Sequence, residues 1–305
     1  LDAAELADAY SETITYGLIA ARWLSSEQKL SRFTRKNIEQ LLPSTSGFLH
    51  DLFARLVNSR FDQNLVWLLD DITSLLSRTM VAEVFRGDRD PVIHFYEDFL
   101  SVYDNTIRTA RGVFYTPEEV VAYIVRSAHE SLVNDLGIEL GLADSISWAD
   151  YAKKRGVEIP AGVRPEESVV QILDPATGTG TFLKAVIELV YDTMMRRWIG
   201  PEWANNRQAA IDATKDRWEH YVRTGLLPRL NGFELLMAPY VVCHLRLGLA
   251  LEETGFRFDE GDRLRVFLTN ALEPHVSGQL EMLGEHVAEE AMQAESTKTS
   301  IAVTT

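Results

Sequence analysis

The sequence predicts a helical N-terminal domain joined to an α/β domain built on a parallel sheet, and three observations predict it. Residues 1–110 read as helices, with apolar positions at helical spacing. From Arg111 onward, short β-prone runs alternate with helical patterns, the order expected of a parallel sheet with crossover helices. Apolar residues make up 46% and charged residues 25%, a globular mix that excludes wholesale disorder, a collagen-like repeat and a disulfide scaffold. A length of 305 residues gives two domains as the first expectation.

In the N-terminal part, 2–23 carries Leu6, Tyr10, Ile14, Tyr16, Leu18 and Ile19 at mostly helical spacing. A short helix over 34–42 is stopped by Pro43, and 47–57 forms another. The best pattern is 63–85, where Leu65, Leu68, Leu69, Ile72, Leu75, Leu76 and Met80 repeat at i, i+3, i+4, i+7. Gly87-Asp88-Arg89-Asp90-Pro91 breaks it, and Pro91 suits the first turn of a helix bearing Phe95, Tyr96, Phe99 and Tyr103. These stripes are read as packed core.

In the second part, Val169-Val170-Gln171-Ile172-Leu173 and Arg265-Val266-Phe267-Leu268 read as buried strands, and Leu230-Asn231-Gly232-Phe233 as a shorter one. Helical patterns lie at 117–134, 181–198, 203–224 and 238–252. Residues 137–168 hold several Gly and Pro with no clear period and are expected to be a long excursion. An acidic amphipathic helix is expected over 279–295, and 300–304 is a β-prone tail that reads as an incoming fourth strand. There is no internal repeat.

The formal charge is −15, and the deficit is even: 11 basic against 16 acidic residues in 1–110, 9 against 13 in 111–200, 10 against 16 in 201–305. No basic stripe replaces phosphate counterions, so this stretch is not the main grip on nucleic acid. Cys243 is the single cysteine, which points to a reducing, cytoplasmic setting. No apolar run nears the roughly 20 residues that span a bilayer, so no membrane partner is expected. The start, Leu1-Asp2-Ala3-Ala4, has neither an initiator Met nor a signal peptide and reads as the inside of a longer chain.

The strongest chemical signal is Ile172-Leu173-Asp174-Pro175-Ala176-Thr177-Gly178-Thr179-Gly180-Thr181-Phe182-Leu183. A strand runs into an acidic residue, a glycine turn and a helix start, which lets the backbone approach a ligand. The Walker spacing G-x-x-x-x-G-K and the dinucleotide spacing G-x-G-x-x-G both fail, because Leu183 stands where each needs a glycine. By itself the turn could be an ordinary strand-to-helix junction. Upstream, Gly112-Val113-Phe114-Tyr115-Thr116-Pro117-Glu118-Glu119 reads as a capping box, with Thr116 as N-cap, Pro117 at N1 and Glu119 at N3. Asn231-Gly232-Phe233-Glu234 ends the second strand on a carboxylate able to accept from ribose hydroxyls, or simply an acid in a helix first turn. Sixty positions separate Asp174 from Glu234, where a plain strand–helix–strand unit needs about 20, so an inserted helical hairpin with 203–223 as its body is expected. Leu268-Thr269-Asn270 follows the third strand.

In the order they occur, these segments resemble motifs X, I, II and III of S-adenosylmethionine-dependent methyltransferases that act on adenine N6 in DNA. The resemblance implies a partial Rossmann-like methyltransferase domain over 111–305, with insertions near 137–168 and 192–225. It implies S-adenosyl-L-methionine as cofactor. Tyr115 and Thr116 would cover its methionine end. Asp174, Ala176, Thr177, Gly178 and Gly180 would shape the pocket, Glu234 would hold the ribose and Asn270 would meet the adenine. Asn270 stands where many relatives carry Asp; either can accept from an amino group. Glu12-Thr13-Ile14-Thr15-Tyr16-Gly17-Leu18-Ile19-Ala20-Ala21-Arg22 further resembles the helical coupler that precedes the methyltransferase in single-chain Type ISP restriction-modification enzymes. That makes 1–110 the coupler, and it implies nuclease, helicase-like and target-recognition domains as partners in the same polypeptide, with DNA contacted mostly through those parts.

The family clamps its flipped adenine with Asn/Asp-Pro-Pro-Tyr/Phe. None of the ten prolines here is adjacent to another, so that motif is absent and no catalytic residue is expected within the chain. In the family's order the motif follows the fourth strand, so the chain is expected to stop just short of it and to lack turnover alone. The other reading is a non-catalytic pseudo-methyltransferase and coupler that mediates interdomain contacts. The seven histidines show no metal-ligand spacing, no G-x-S-x-G elbow is present, and Cys243-His244 lies in an apolar helical run as packing.

Overall fold

Strand-forming residues in the second half pair as one parallel sheet. The computed structural model describes residues 63–80, 116–259, 261–270 and 301–302, together with 7, 11, 14–19, 21, 22, 25, 33–35 and 38; for 63–65, 301 and 302 the description is of backbone alone. The elements are α1 (Gln63–Arg78), α2 (Glu118–Asn134), α3 (Trp148–Arg155), β1 (Ile172–Asp174), α4 (Thr181–Trp198), α5 (Arg207–Tyr221), β2 (Leu230–Glu234), α6 (Met237–Glu253), β3 (Arg265–Leu268) and β4 (Ile301–Ala302). The boundary expected at 110, Tyr115, the helix expected at 279–295 and most of the helices expected in 1–110 lie outside the described residues.

The sheet order is β3-β2-β1-β4. Ile172 pairs with Leu230 on one side and Ile301 on the other, and Gly232 pairs with Val266, all in parallel. Chain order therefore reverses between β1 and β4, and in open α/β sheets ligands bind at such a reversal, outside the carboxyl ends of the strands. Asn231 locks the register from inside. Its Nδ2 donates to the Ile172 carbonyl at 3.0 Å and its Oδ1 accepts from Arg265 Nε at 2.8 Å.

The helices cover the sheet as their patterns dictate. In α2 the buried residues Val121, Val125 and Leu132 share one face and pack on α4. Helix α6 is buried almost all round, from Ala238 to Gly248 and again at Ala250 and Leu251, the state of a helix with no solvent face. No helix among the described residues is long and apolar enough to cross a membrane.

Four expectations need correction. The first strand begins at Ile172 rather than Val169, because the Val169 N–H bonds Ile146 O at 2.9 Å and Ser168 bridges Ser147. The excursion at 137–168 contains helix α3. Ser147 caps it through the Asp150 N–H at 3.1 Å, and Gly156 ends it in the left-handed region at φ 67°. Thr116 is not an N-cap: α2 starts at Glu118 with Pro117, extended at ψ 140°, in the cap position and no side-chain cap bond. In α1, Leu69 and Thr73 are buried, whereas Trp67, Leu68, Leu75 and, just beyond the helix, Met80 are exposed. Leu68 and Leu75 are seven residues apart and run along a line roughly 100° round the helix from Leu69, so the apolar stripe is wider than the buried seam.

The stretch between β1 and β2 is a helical hairpin, α4 and α5, held by aromatic rings. Tyr191 lies 4.9 Å from Trp218 and 5.3 Å from Trp203, and Trp218 stacks on Tyr221 at 5.6 Å. Such pairs contribute about 0.5–1.5 kcal/mol each beyond their burial. Trp218 Nε1 donates to Thr254 Oγ1 at 2.7 Å, and Tyr221 OH donates to Ala143 O at 2.6 Å, tying the hairpin to the segments after α6 and before α3.

Candidate ligand turn at the end of the first strand

The sheet ends in acids. Asp174 closes β1 and is 1% exposed; Glu234 closes the neighbouring β2 and is 8% exposed. Asp174 Oδ1 accepts from Ala176 N–H at 3.2 Å, while Oδ2 is buried with no hydrogen-bond partner. Burial raises the Asp174 carboxyl to about 7, the Ala176 N–H opposing and the Glu234 charge adding to the rise. Burial also raises Glu234, and the backbone N–H groups of Leu236, Gly178 and Leu235 pull it back.

Between the acids lies the glycine turn. Thr177 fastens it to β2: its N–H donates to Phe233 O at 3.0 Å, and its hydroxyl lies 3.0 Å from both Phe233 O and Asp174 O. Gly178 and Gly180 take φ of 55° and 82°, the left-handed region that other residues avoid. The two glycines differ in surroundings. A Cβ on Gly180 would lie 2.7 Å from Cys243 Sγ, whereas one on Gly178 would meet nothing within 4 Å. The Gly178 N–H donates to Glu234 Oε2 at 2.7 Å, and Leu236 N–H donates to Oε1 at 2.7 Å. Thr179 Oγ1 is a second buried polar atom without a partner.

The structure thus brings Asp174, Ala176, Thr177, Gly178, Gly180 and Glu234 together. Thr269 N–H donates to Glu234 O at 2.8 Å, so the end of β3, with Asn270 next in the chain, lies beside the end of β2. Thr116 is half-buried ahead of α2, and no bond is described between it and the turn; Tyr115 lies outside the described residues. Cys243 and His244 are fully buried packing residues, the His244 Nε2 lying 3.1 Å from Val266 O.

Sequence reasoning missed three contributors. Gly232 is required where β2 passes Thr177, since a Cβ there would lie 2.6 Å from the hydroxyl. Leu235 is 63% exposed directly after buried Glu234, an apolar surface at the strand end. Arg246, the one charged side chain between Met237 and Leu251, is 4% exposed and bonds the turn from α6. That isolation was its signal.

Fold and site together define an α/β protein with an acid-flanked glycine turn beside a strand-order reversal. No protein-family model matches the sequence, and no curated protein matches it. Solved structures do share its fold. A DrdV–DNA complex determined by cryo-electron microscopy superposes with a TM-score of 0.57 at 17% identity, over 98% of this chain and 23% of that one. The ATP-dependent Type ISP restriction-modification enzyme LlaBIII bound to DNA does so with 0.54 at 18% identity, over 100% of this chain and 17% of that one. The chain spans less than a quarter of the length of either.

Proposed function

We propose that this chain is the S-adenosylmethionine-binding portion of a DNA adenine-N6 methyltransferase within a restriction-modification protein. The observation that carries the reading is the pair of buried carboxylates, Asp174 and Glu234, flanking a glycine turn, with Asp174 Oδ2 left unpartnered. A buried carboxylate oxygen without a donor is costly, and a ligand ammonium or N–H would supply one. The turn's own anion site favours the same ligand class. Glu234 already occupies the Gly178 N–H, and a pyrophosphate there would face two carboxylates. A ligand bearing positive charge meets no such repulsion.

The residues present fit this cofactor. A carboxylate has about four acceptor positions; the Gly178, Leu236 and Leu235 N–H groups engage Glu234, which leaves room for a ribose hydroxyl. Leu235 offers an apolar face, and Asn270 a polar group able to accept from an amino group, at the same end of the sheet. Space above Gly178 lets the ligand lie against the backbone. When bound, the cofactor supplies an electrophilic methyl group on a sulfonium. The role of this chain would be to hold that group, with Asp174 and Glu234 facing its positive charge and the Thr177 and Glu234 bonds fixing the turn.

The likeness to DNA-bound restriction enzymes supports DNA as the partner, reached through nuclease, helicase-like and target-recognition parts of the parent protein. The Asn-Pro-Pro-Tyr clamp is not among the 305 residues, so no base-holding residue is assigned and the chain alone should not turn over. The test is Asp174→Ala read by calorimetry with S-adenosylhomocysteine. Loss of binding with unchanged circular dichroism supports the site, and undiminished binding refutes it.

A further inference from the structure

Helix α6 is apolar on every side, yet it carries Arg246 at its centre. A buried guanidinium is tolerated only where its donors are well used. Arg246 Nη1 donates to Thr179 O at 3.2 Å and to Thr181 Oγ1 at 2.8 Å, the end of the glycine turn and the first residue of α4. The helix dipole does not explain this position, because the N-terminus of α4 is its positive end and repels a cation. Cys243 and Leu247, one turn apart on α6, fill the space under Gly180, where an added Cβ would lie 2.7 Å from Sγ and 3.4 Å from Leu247 Cδ2. Glu234 fastens the Gly178 limb of the turn from β2; Arg246 fastens the Thr179–Thr181 limb from α6.

We infer that Arg246 is a positioning residue for the cofactor turn: through Thr179 and Thr181 it holds the conformation in which the turn receives its ligand. It sets affinity without being an acid, a base or a ligand contact. The inference rests on the reading of the turn as a cofactor site, and its test separates the two. Three variants are compared, Thr181→Val, Arg246→Lys and Arg246→Met, by amide hydrogen exchange without ligand and by S-adenosylhomocysteine titration.

Loss of a charge-assisted hydrogen bond predicts roughly tenfold faster exchange at residues 178–182, and about tenfold weaker binding, in Thr181→Val and Arg246→Met. Exchange in α5 and β3 stays unchanged. Arg246→Lys, which keeps the charge and can reach one acceptor, recovers most of the loss seen in Arg246→Met. Thr181→Val leaves the core intact and decides the matter if Arg246→Met does not fold. Unchanged exchange in the turn of Thr181→Val overturns the inference, as does equal acceleration throughout the chain in both Arg246 variants. If the wild-type chain does not bind S-adenosylhomocysteine, the cofactor reading fails and turn exchange alone judges Arg246.

Discussion

Glu234, at the end of β2, accepts the Gly178 N–H at 2.7 Å across 56 positions of sequence, so the acid of one strand holds the turn of the next. Its second oxygen accepts from Leu236 N–H at 2.7 Å. Glu234→Ala leaves both N–H groups without that acceptor and removes the carboxylate proposed to hold the ribose. Unfolding should become easier by about 1–3 kcal/mol, and S-adenosylhomocysteine affinity should fall at least about tenfold. Urea denaturation and calorimetry measure the two effects. Unaltered affinity in a folded variant would contradict the assignment of Glu234.

Gly178 and Gly180 share a left-handed backbone but differ in what surrounds them, and this gives different predictions for the same substitution. Gly180→Ala places a Cβ 2.7 Å from Cys243 Sγ and should destabilise by about 2–4 kcal/mol through strain and overpacking. Adding Cys243→Ala should recover part of it. Gly178→Ala meets open space and should cost only about 1–2 kcal/mol of backbone strain, while impairing ligand binding more than stability. Melting curves and titrations on the three variants distinguish the roles. Equal loss of stability at both positions would show that the geometry around Gly180 is misread.

Asp174 and His244 make stability depend on pH in opposite senses. Asp174 titrates near 7 when folded and near 3.9 when unfolded, so the folded state holds a proton the unfolded state lacks between those values. Its stabilising contribution is complete below about pH 4 and is lost as pH rises through 7, a change on the order of 4 kcal/mol. His244 is pushed down to about 4 by burial, the Val266 carbonyl bond opposing. Its contribution is present above about 6.5 and is lost as pH falls through 4. The two offset over pH 4–6.5. Asp174→Asn should therefore expose a stability that rises with pH over that window. Denaturant midpoints across pH, compared with those of Asp174→Asn carrying His244→Gln, isolate it; identical profiles in the two would contradict the burial of His244. With Asp174 intact, affinity for a cationic ligand should rise as pH passes 7, and in Asp174→Asn it should not.

The hairpin between β1 and β2 is tied to the rest of the domain by the Trp218–Thr254 bond of 2.7 Å. Trp218→Phe keeps ring packing but leaves Thr254 Oγ1 without its donor, and should destabilise by about 1–3 kcal/mol. Hydrogen exchange should rise chiefly in α4 and α5. Uniform acceleration across the sheet would instead mean that the hairpin is part of one cooperative unit with it.

What the sequence disclosed follows from how local each determinant is. Asp174, the glycine turn and the acid after Leu230-Asn231-Gly232-Phe233 were legible because strand, turn and helix start each leave a contiguous signature. Helix α3 was missed although Ser147, Asp150 and Gly156 mark its ends, because eight residues carry too little apolar periodicity. Thr116 was misplaced by one residue because Pro117 takes the extended backbone rather than the first helical turn; a residue before proline is itself pushed toward extended geometry. Leu68 and Leu75 read as core because spacing reports a stripe without reporting how much of it a neighbour covers. Arg246 stands out in the sequence only as the lone charge in an apolar run, and nothing local names its partners or that of Gly232. Their partners, Thr179, Thr181 and Thr177, lie 55 to 67 positions away on other elements, and only the folded sheet brings them together.

The central claim is that two buried acids and a glycine turn form a site for S-adenosylmethionine. It is tested most directly by titrating the wild-type protein at pH 8 with S-adenosylhomocysteine, NAD and ATP in parallel. One site should bind S-adenosylhomocysteine at least about tenfold, or roughly 1.4 kcal/mol, more tightly than either nucleotide. Tighter binding of NAD or ATP, or no binding of S-adenosylhomocysteine by the folded protein, would contradict it.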